Sequence, residues 1–399
     1  MRTIVAISLM ALFAMTFLFG CASENDPVTA PTIQQGTLDA QPDVYFNDSL
    51  AYVDQAGDPM TANYYVYLPN GYSNSGNGYP VLFLLHGFGQ DEFFWNQLFK
   101  AQNMLDELIS TGAIDPMVVV MFSGENAFGG SFYHNGFHPF VGNAQRHIGW
   151  MIDEIIDNYN VVDDASQWGI AGHSMGGYGA LHYVQDNPGA FASVAALAAP
   201  VAHNGTLPND DTYTGIRELL PAALQETGYD QVLAETGGAG DPAQYQELME
   251  PDPSRPITSM MFALAAAFSP FNPLDPYTPT LIADYGVNIP IAVNGSVDET
   301  TFDRWLQDDI TTQILAGNPG GLATASIYLD CGLDDDLGLY GAHQVLAGVL
   351  DGAGFNIEVD TYYDGFPIVG EGEVPADHAT MQWARLEPLL IWLDGNFNE

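Results

Sequence analysis

The chain predicts an α/β fold with a mainly parallel sheet flanked by helices. Short apolar runs of strand length alternate with segments of helical periodicity, and turns rich in glycine and polar residues separate them. Parallel strands need crossover connections, and helices in that role cover both faces of the sheet, so the strands become almost wholly apolar. A length of 399 residues exceeds the usual single domain, but one α/β domain with an insertion accounts for it.

The strand-like runs are short and mostly apolar, and we expect strands near Asp43–Asn47, Asn63–Leu68, Tyr79–Leu85, Met117–Phe122, Gln167–Gly172, Phe191–Leu197, Thr324–Cys331 and Asn356–Tyr363. Segments with helical periodicity follow most of the later strands, at Gly142–Tyr159, Met175–Gln185, Thr300–Leu315, Gly341–Leu350 and Ala379–Leu393. A long insertion therefore separates the sixth strand from the seventh.

The most informative motif is the run Gly172-His173-Ser174-Met175-Gly176-Gly177, between a predicted strand and a predicted helix. A serine attacks a carbonyl carbon when a sharp strand-to-helix turn exposes its hydroxyl beside main-chain N–H groups that can receive the oxyanion. Glycine two residues to either side removes the side chains that would collide at such a turn. The G-x-S-x-G spacing thus predicts Ser174 as a nucleophile.

A serine nucleophile of this kind needs a base and an orienting acid, which follow it in the order Ser, Asp or Glu, His. Only His343 and His378 lie far enough downstream. His343 falls at a predicted helix start, which favours a helix-surface or capping role, whereas His378 lies in a loop before the last helix. The acid should end the preceding strand, where Asp334, Asp335 and Asp336 are adjacent. A solvated turn or a weak calcium site would account for the two that are not used.

Four segments together resemble one known family: Val81–Gly89, Gly172–Gly177, Asp330–Asp335, and His378 with Trp383 five residues later. That family is "Putative esterase" (esterase D), which has the α/β-hydrolase fold and includes feruloyl and acetyl-xylan esterases, S-formylglutathione hydrolases, carboxylesterases and the related mycolyltransferases. By position, the resemblance implies Ser174 as nucleophile, Asp335 as acid and His378 as base. It also implies the main-chain N–H groups of Phe88 and Met175 as oxyanion donors.

The two implied donors also have a physical basis. Met175 N–H lies at a helix N-terminus, where the macrodipole favours negative charge, and Phe88 follows a His-Gly turn after a buried strand. His86 and His173, which adjoin these loops, are interpreted as structural.

We expect one catalytic domain, residues 43–399, in which about residues 200–324 form a lid or pocket wall. This insertion has helical stretches at Gly215–Leu224, Pro242–Glu250 and Thr258–Phe268. It would shape the acyl or alcohol site together with the aromatic segments Phe128–Tyr133 and Phe93–Trp95, although ordinary apolar packing of those aromatics is an equal alternative.

The N-terminus predicts export. Met1-Arg2 precedes the apolar run Ile4–Phe19, and Leu18–Cys21 resembles a lipobox, so residues 1–20 are interpreted as a removable bacterial lipoprotein signal. A plain transmembrane helix is the alternative. Cys21 would carry the lipid that anchors the protein, residues 21–42 would be a flexible tether, and Ala22 favours the outer membrane.

Cysteine and histidine usage predicts neither a disulfide nor a metal. With Cys21 lipidated only Cys331 remains, and it is interpreted as a small buried apolar residue. His134 and His138 lie four residues apart in a Gly/Pro loop without a clear third ligand, and no GxGxxG or P-loop occurs. We therefore expect no cofactor.

The charge is extreme: 50 acidic residues against seven Lys and Arg give a formal net charge of −43 at pH 7. Such a surface excludes general affinity for nucleic acid or anionic lipid, and it predicts adaptation to salt. The expected function is a lipid-anchored serine esterase whose partner is a small-molecule or polysaccharide-linked ester. An acyltransferase to a sugar or alcohol, or a non-catalytic surface binding lipoprotein, remains the alternative.

Overall fold

An eight-stranded sheet forms the centre of the molecule. Its strands are β1 (Thr37–Pro42), β2 (Asn63–Leu68), β3 (Val81–Leu85), β4 (Val118–Phe122), β5 (Trp168–His173), β6 (Ser193–Leu197), β7 (Ser326–Asp330) and β8 (Ile357–Val359). Their spatial order is β1-β2-β4-β3-β5-β6-β7-β8. The pairs β1–β2 and β2–β4 are antiparallel, and the pairs from β4 to β8 are parallel. A separate hairpin pairs β9 (Phe366–Ile368) with β10 (Gly372–Val374).

The computed structural model describes residues 32–48, 51–54, 56–136, 138–202, 216–270, 287–359, 366–368, 372–374, 376–379 and 382–397. The predicted signal 1–20, Cys21 and parts of the insertion lie outside these ranges, as does the end of the predicted strand Asn356–Tyr363. Within the described ranges, no helix has the length and apolar character needed to cross a membrane.

Twelve α-helices are found in the described ranges. Those of the sheet's flanks are α1 (Phe94–Gln97), α2 (Ala101–Thr111), α3 (Ala144–Asn158), α4 (Met175–Asp186), α11 (Tyr340–Ala353) and α12 (Gln382–Phe397). Those of the insertion are α5 (Leu219–Glu226), α6 (Tyr229–Glu235), α7 (Pro242–Leu248), α8 (Pro256–Phe268), α9 (Glu299–Trp305) and α10 (Ile310–Leu315).

The central strands are buried on both faces, as a parallel sheet between two helix layers requires. Alternate side chains of β3 point into different cores: Phe83 packs in the cluster that contains Leu181 and Leu346, and Leu84 packs with Leu105 and Leu390. The helices α4 and α11 thus cover one face, and α2 and α12 cover the other. The prediction of a mainly parallel sheet flanked by helices is confirmed.

The predicted strand near Asp43–Asn47 is wrong. These residues form a turn, in which the buried Asp43 carboxylate accepts a hydrogen bond from Phe46 N–H and lies 2.8 Å from His147 Nε2. The strand lies earlier, as β1, within the range expected to be a tether, and the compact unit begins at Ile33. As a half-exposed edge strand, β1 lacks the apolar run that marks a buried strand.

One helical prediction is wrong, and some helices of the structure were not predicted. The expected single helix Thr300–Leu315 is two helices, because the Asp309 carboxylate accepts a hydrogen bond from Thr312 N–H (2.6 Å) and starts α10 as an N-cap. The structure also contains α1, α2 and α6, for which the sequence pattern gave no prediction.

Candidate active site

Ser174 lies at the turn from β5 into α4 with φ 54° and ψ −117°, a backbone conformation that L-residues rarely adopt. A Cβ at Gly172 would lie 2.1 Å from the carbonyl carbon of Gly176, and a Cβ at Gly176 would lie 2.1 Å from the carbonyl oxygen of Leu85. Only glycine therefore fits on either side of the serine. Strain of this kind costs on the order of 1–3 kcal/mol and persists because the surrounding structure imposes it.

Three side chains from distant segments form one hydrogen-bonded chain. The Oγ of Ser174 lies 2.9 Å from His378 Nε2, and His378 Nδ1 lies 2.9 Å from Asp335 Oδ2. His378 lies in the loop before α12, and Asp335 lies in the loop that leaves β7. The structure therefore brings together Ser174, His378 and Asp335; their catalytic roles stay predictions.

The carboxylate of Asp335 is held in place as an anion. Its side chain is fully buried, and Oδ1 accepts hydrogen bonds from the main-chain N–H groups of Leu337 (3.0 Å) and Leu339 (3.2 Å). Burial by itself would raise the pKa of Asp335, but the hydrogen bond and charge of His378, together with the N–H of Leu339, outweigh it and hold the pKa below its usual range. Asp335 can therefore orient an imidazole and stabilise its protonated form.

The two aspartates beside Asp335 make different contacts. Asp336 Oδ1 accepts a hydrogen bond from the main-chain N–H of His378 (3.3 Å), and Asp334 donates its own main-chain N–H to the carbonyl of Ala376 (3.1 Å). A Cβ on Gly332 would lie 1.9 Å from that same carbonyl oxygen. Glycine at this position thus lets the loop of Asp335 pack directly against the loop of His378.

Hydrogen bonding in the turn after β3 fixes the residues on either side of Phe88. Gly87 N–H donates to Gln90 Oε1 (3.0 Å), and Gly89 N–H donates to the carbonyl of Gly129 (2.9 Å). Within the described part of the chain, the main-chain N–H groups of Phe88 and Met175 donate to no other residue. These are the two donors implied by the resemblance. Gln90 and Gly129 hold the turn around Phe88, and no pattern in the sequence indicated that role.

The two adjacent histidines are structural groups. His86 is buried, its Nε2 accepts the Gly124 N–H (2.7 Å), and its Nδ1 lies 2.9 Å from the carbonyl of Gly87. Burial lowers the pKa of His86 to about 4, so the ring stays neutral. His173 is also buried, and its Nε2 lies 3.0 Å from the main-chain oxygen of His378. It therefore holds the loop of His378.

The expected helix-surface or capping role of His343 is wrong. Its side chain is fully buried in α11, and its Nε2 lies 2.8 Å from the nitrogen and 3.0 Å from the oxygen of Ala199. Burial lowers the pKa of His343 to about 4. The short run of sequence around His343 could not reveal Ala199, which lies in the loop after β6, more than a hundred residues earlier.

The two aromatic segments, Phe93–Trp95 and Phe128–Tyr133, have different roles in the structure. Phe94 and Trp95 are buried in the core beside Phe99, and the ring centroids of Trp95 and Phe99 are 4.1 Å apart. The pocket-wall role expected for the segment Phe93–Trp95 is therefore wrong for Phe94 and Trp95. Phe128, by contrast, stacks on Phe262 of the insertion (6.0 Å) and lines a cleft beside Phe88.

Cys331 is fully buried at the end of β7, and its Sγ lies 3.7 Å from Asp335 Oδ2. Burial and the Asp335 charge raise the pKa of Cys331, which keeps it a thiol rather than a nucleophilic thiolate. Among the described residues, no three His, Cys, Asp or Glu side chains are grouped so that they could hold a metal ion.

This architecture is the α/β-hydrolase fold. A family model described as "Putative esterase" matches residues 57–235, and this confirms the resemblance to that family. Esterase Rv1288 of Mycobacterium tuberculosis is 34% identical over 140 residues, which cover 34% of this chain and 29% of that protein. The endo-1,4-beta-xylanase/feruloyl esterase of Xylanibacter ruminicola is 36% identical over 132 residues, or 31% of this chain and 17% of that protein. The chain thus spans less than a third of the length of these curated relatives.

Solved structures show the same fold. A ferulic acid esterase aligns with a TM-score of 0.50 at 18% identity, covering 91% of this chain and 99% of its own. An S-formylglutathione hydrolase from Agrobacterium tumefaciens aligns with a TM-score of 0.50 at 15% identity, covering 93% of this chain and 99% of its own.

Proposed function

We propose that the protein is a serine carboxylic-ester hydrolase that forms an acyl-enzyme on Ser174. The observation that carries this proposal is the hydrogen-bonded chain from Ser174 Oγ through His378 to Asp335, with both links at 2.9 Å. A serine, a base that can take its proton and an acid that orients the base are the groups that acyl transfer requires. The family match supports the same reaction class.

In the first half of the proposed reaction, His378 Nε2 takes the Ser174 proton while Oγ attacks the carbonyl carbon of the ester. The main-chain N–H groups of Phe88 and Met175 stabilise the oxyanion, which is the largest single contribution in many such sites. His378 then gives its proton to the departing alkoxide. Throughout, Asp335 holds the Nδ1–H tautomer and stabilises the imidazolium.

In the second half, water takes the position of the alcohol. His378 Nε2 accepts a proton from the water, the resulting hydroxide attacks the acyl carbon, and the proton returns to Ser174 Oγ as the acid leaves. The acyl group is proposed to be a feruloyl, acetyl or short aliphatic one. The xylanase/feruloyl esterase among the relatives motivates the first of these.

The test uses a protein that begins at residue 33. It measures the hydrolysis of p-nitrophenyl esters of increasing acyl length, of methyl ferulate and of acetylated xylan. Ser174→Ala should abolish turnover, whereas Ser73→Ala, at an exposed serine of a surface turn, should not change it. Chromatography with an added sugar or alcohol separates hydrolysis from acyl transfer. Absence of Ser174-dependent turnover in folded protein would contradict the proposal.

We also propose that residues 1–20 are removed and that a lipid on Cys21 anchors the protein to a membrane, on the basis of the sequence around that cysteine. Full-length protein should then partition into a detergent phase when expressed in a bacterium that lipidates such cysteines. Cys21→Ser should move it to the aqueous phase; equal partition of both forms would contradict the anchor.

A further inference from the structure

A cleft of about 600 Å³ opens beside Phe88. Four segments that are far apart in sequence line it, and they contribute Asp54, Ala56 and Met60; Phe88 and Gly89; residues 125–129; and Pro251, Pro253, Pro256 and Ser259 of the insertion. Its apolar lining consists mainly of Met60, Phe88, Phe128, Pro253 and Pro256. A volume of this order accommodates a small-molecule ligand or one portion of a larger ester.

The cleft continues the proposed active site. The carbonyl of Gly129, in the cleft wall, accepts the Gly89 N–H and so fixes the turn that carries the free N–H of Phe88. A Cβ on Gly130 would lie 2.6 Å from Met175 Sδ and 2.9 Å from Phe88 Cδ2. One loop therefore contacts both residues of the proposed oxyanion hole and forms the wall of the cleft, which places the cleft next to the reacting carbonyl.

The charged side chains among the described residues that line this cleft are all negative. Asp54 and Glu125 contribute carboxylates, and none of the described residues that line it is Lys, Arg or His. Burial raises the pKa of Glu125, and the nearby charges of Glu92 and Asp91 raise it further, so the surroundings already resist one more negative charge. An anionic ligand group placed here would be desolvated by the apolar walls and repelled by the carboxylates, with no cation among the described lining residues to compensate.

We infer that this cleft receives an uncharged or cationic apolar portion of the ester and rejects a portion that carries a carboxylate. This inference rests on the proposed esterase function and defines the substrate class within it. Selection arises from local carboxylates at the cleft, in addition to the weaker and more easily screened field of the whole acidic surface.

The experiment compares kcat/KM for p-nitrophenyl esters with acyl groups of equal length that end in a carboxylate, a methyl ester or a trimethylammonium group. A second series carries the same three charges on the alcohol, so that the two series report which portion of the ester occupies the cleft. We expect the carboxylate ester in one series to be poorer than the neutral ester by about tenfold or more. The cationic ester should equal or exceed the neutral one.

Measurements at low salt and in 1 M NaCl separate the two sources of selection, because at 1 M the Debye length falls to about 3 Å and distant charges are screened. Discrimination should persist at 1 M and fall to about threefold or less in the double variant Asp54→Asn, Glu125→Gln, which keeps the shape of both side chains. Ala56→Trp, at an exposed residue of the lining, should lower kcat/KM for the longer esters. Its control is Leu315→Trp, at an exposed residue outside the lining, which should not.

Equal kcat/KM for the anionic and neutral esters of both series would overturn the inference. So would discrimination that is unchanged in the double variant, because its source would then be the whole surface. Both results require Ser174-dependent hydrolysis of the neutral esters, and loss of that hydrolysis would instead contradict the proposed function.

Discussion

His173 Nε2 lies 3.0 Å from the main-chain oxygen of His378, so the residue before the proposed nucleophile holds the loop of the proposed base. Burial lowers the pKa of His173 well below its usual range, and the positive charges of His378 and Arg385 lower it further. The ring is therefore neutral, and since a carbonyl oxygen only accepts hydrogen bonds, Nε2 carries the proton. His173 is a positioning residue for His378 in this arrangement.

The first prediction is that His173→Phe lowers kcat by about ten- to a hundredfold with little change in KM, because small misplacements of a reacting group are costly. His173→Gln keeps an N–H donor close to the position of Nε2 and should restore most of kcat. Steady-state kinetics on a p-nitrophenyl ester measures both constants. Equal kcat in the two variants, with both folded by circular dichroism, would show that the hydrogen bond to His378 is not used.

The second prediction concerns the buried ion pair of Asp330 and Arg385. Arg385 Nε lies 3.0 Å from Asp330 Oδ2, and an Nη lies 2.7 Å from Oδ1, with both side chains almost fully buried. The pair joins the end of β7 to the first turn of α12, the two elements next to Asp335 and His378. Arg385→Met should lower the free energy of unfolding by about 3–5 kcal/mol, because it leaves an uncompensated buried carboxylate.

The control for this prediction is the double variant Asp330→Leu, Arg385→Met, which removes both charges and should recover much of the lost free energy of unfolding. Urea denaturation measures the wild type, the single variants Asp330→Leu and Arg385→Met, and the double variant. A double variant as unstable as the sum of the two single variants would show that packing, rather than the unpaired charge, sets the cost.

The third prediction concerns pH and His86. Its pKa is about 4 in the native protein and about 6.5 when unfolded, so between these values the unfolded chain binds a proton that the native protein does not. The contribution of His86 to stability is therefore complete above about pH 6.5 and is lost as the pH falls towards 4. Between pH 7 and pH 5 this loss is about 2 kcal/mol.

The measurement is the free energy of unfolding at pH 7 and pH 5 for the wild type and for His86→Gln, which does not titrate in this range. Protonation of the many carboxylates affects both proteins alike, so the difference between the two pH dependences isolates His86. Identical pH dependences would contradict the buried, neutral state of this ring.

The fourth prediction is salt-dependent stability. The chain has fifty acidic residues and only seven Lys and Arg, so the carboxylates repel one another with little compensation. One of the seven cations, Arg385, is buried in an ion pair with Asp330 and does not offset the charge of the surface. Screening should therefore raise Tm steeply between low salt and molar NaCl. Calorimetry in NaCl and in an osmotically matched sucrose series separates screening from solute exclusion; a Tm independent of NaCl would refute the expected salt adaptation.

The sequence predicts those parts of the site that depend on local geometry. Two glycines at fixed spacing are what the turn at Ser174 requires, and a carboxylate at the end of a strand and a histidine in a late loop follow from chain order. Contacts between distant segments have no such pattern. The hydrogen bonds from His173 to the carbonyl of His378 and from Gly89 to the carbonyl of Gly129 are visible only in the folded structure.

The errors in the predicted fold also arise from contacts between distant segments. β1 is a half-exposed edge strand stabilised by pairing with β2, so its polar sequence resembles a tether until the partner is known. His343 occupies a helix start that resembles a surface position, and the partner that shows otherwise, Ala199, lies in the loop after β6.

The central claim, an acyl-enzyme on Ser174, is tested most directly by mass spectrometry of the compact unit Ile33–Glu399 after reaction with a fluorophosphonate. We predict one added phosphonyl group on the tryptic peptide that contains Ser174, loss of that label in Ser174→Ala and its retention in Ser73→Ala. Folded wild-type protein that stays unlabelled, or a label on any other residue, would contradict the claim.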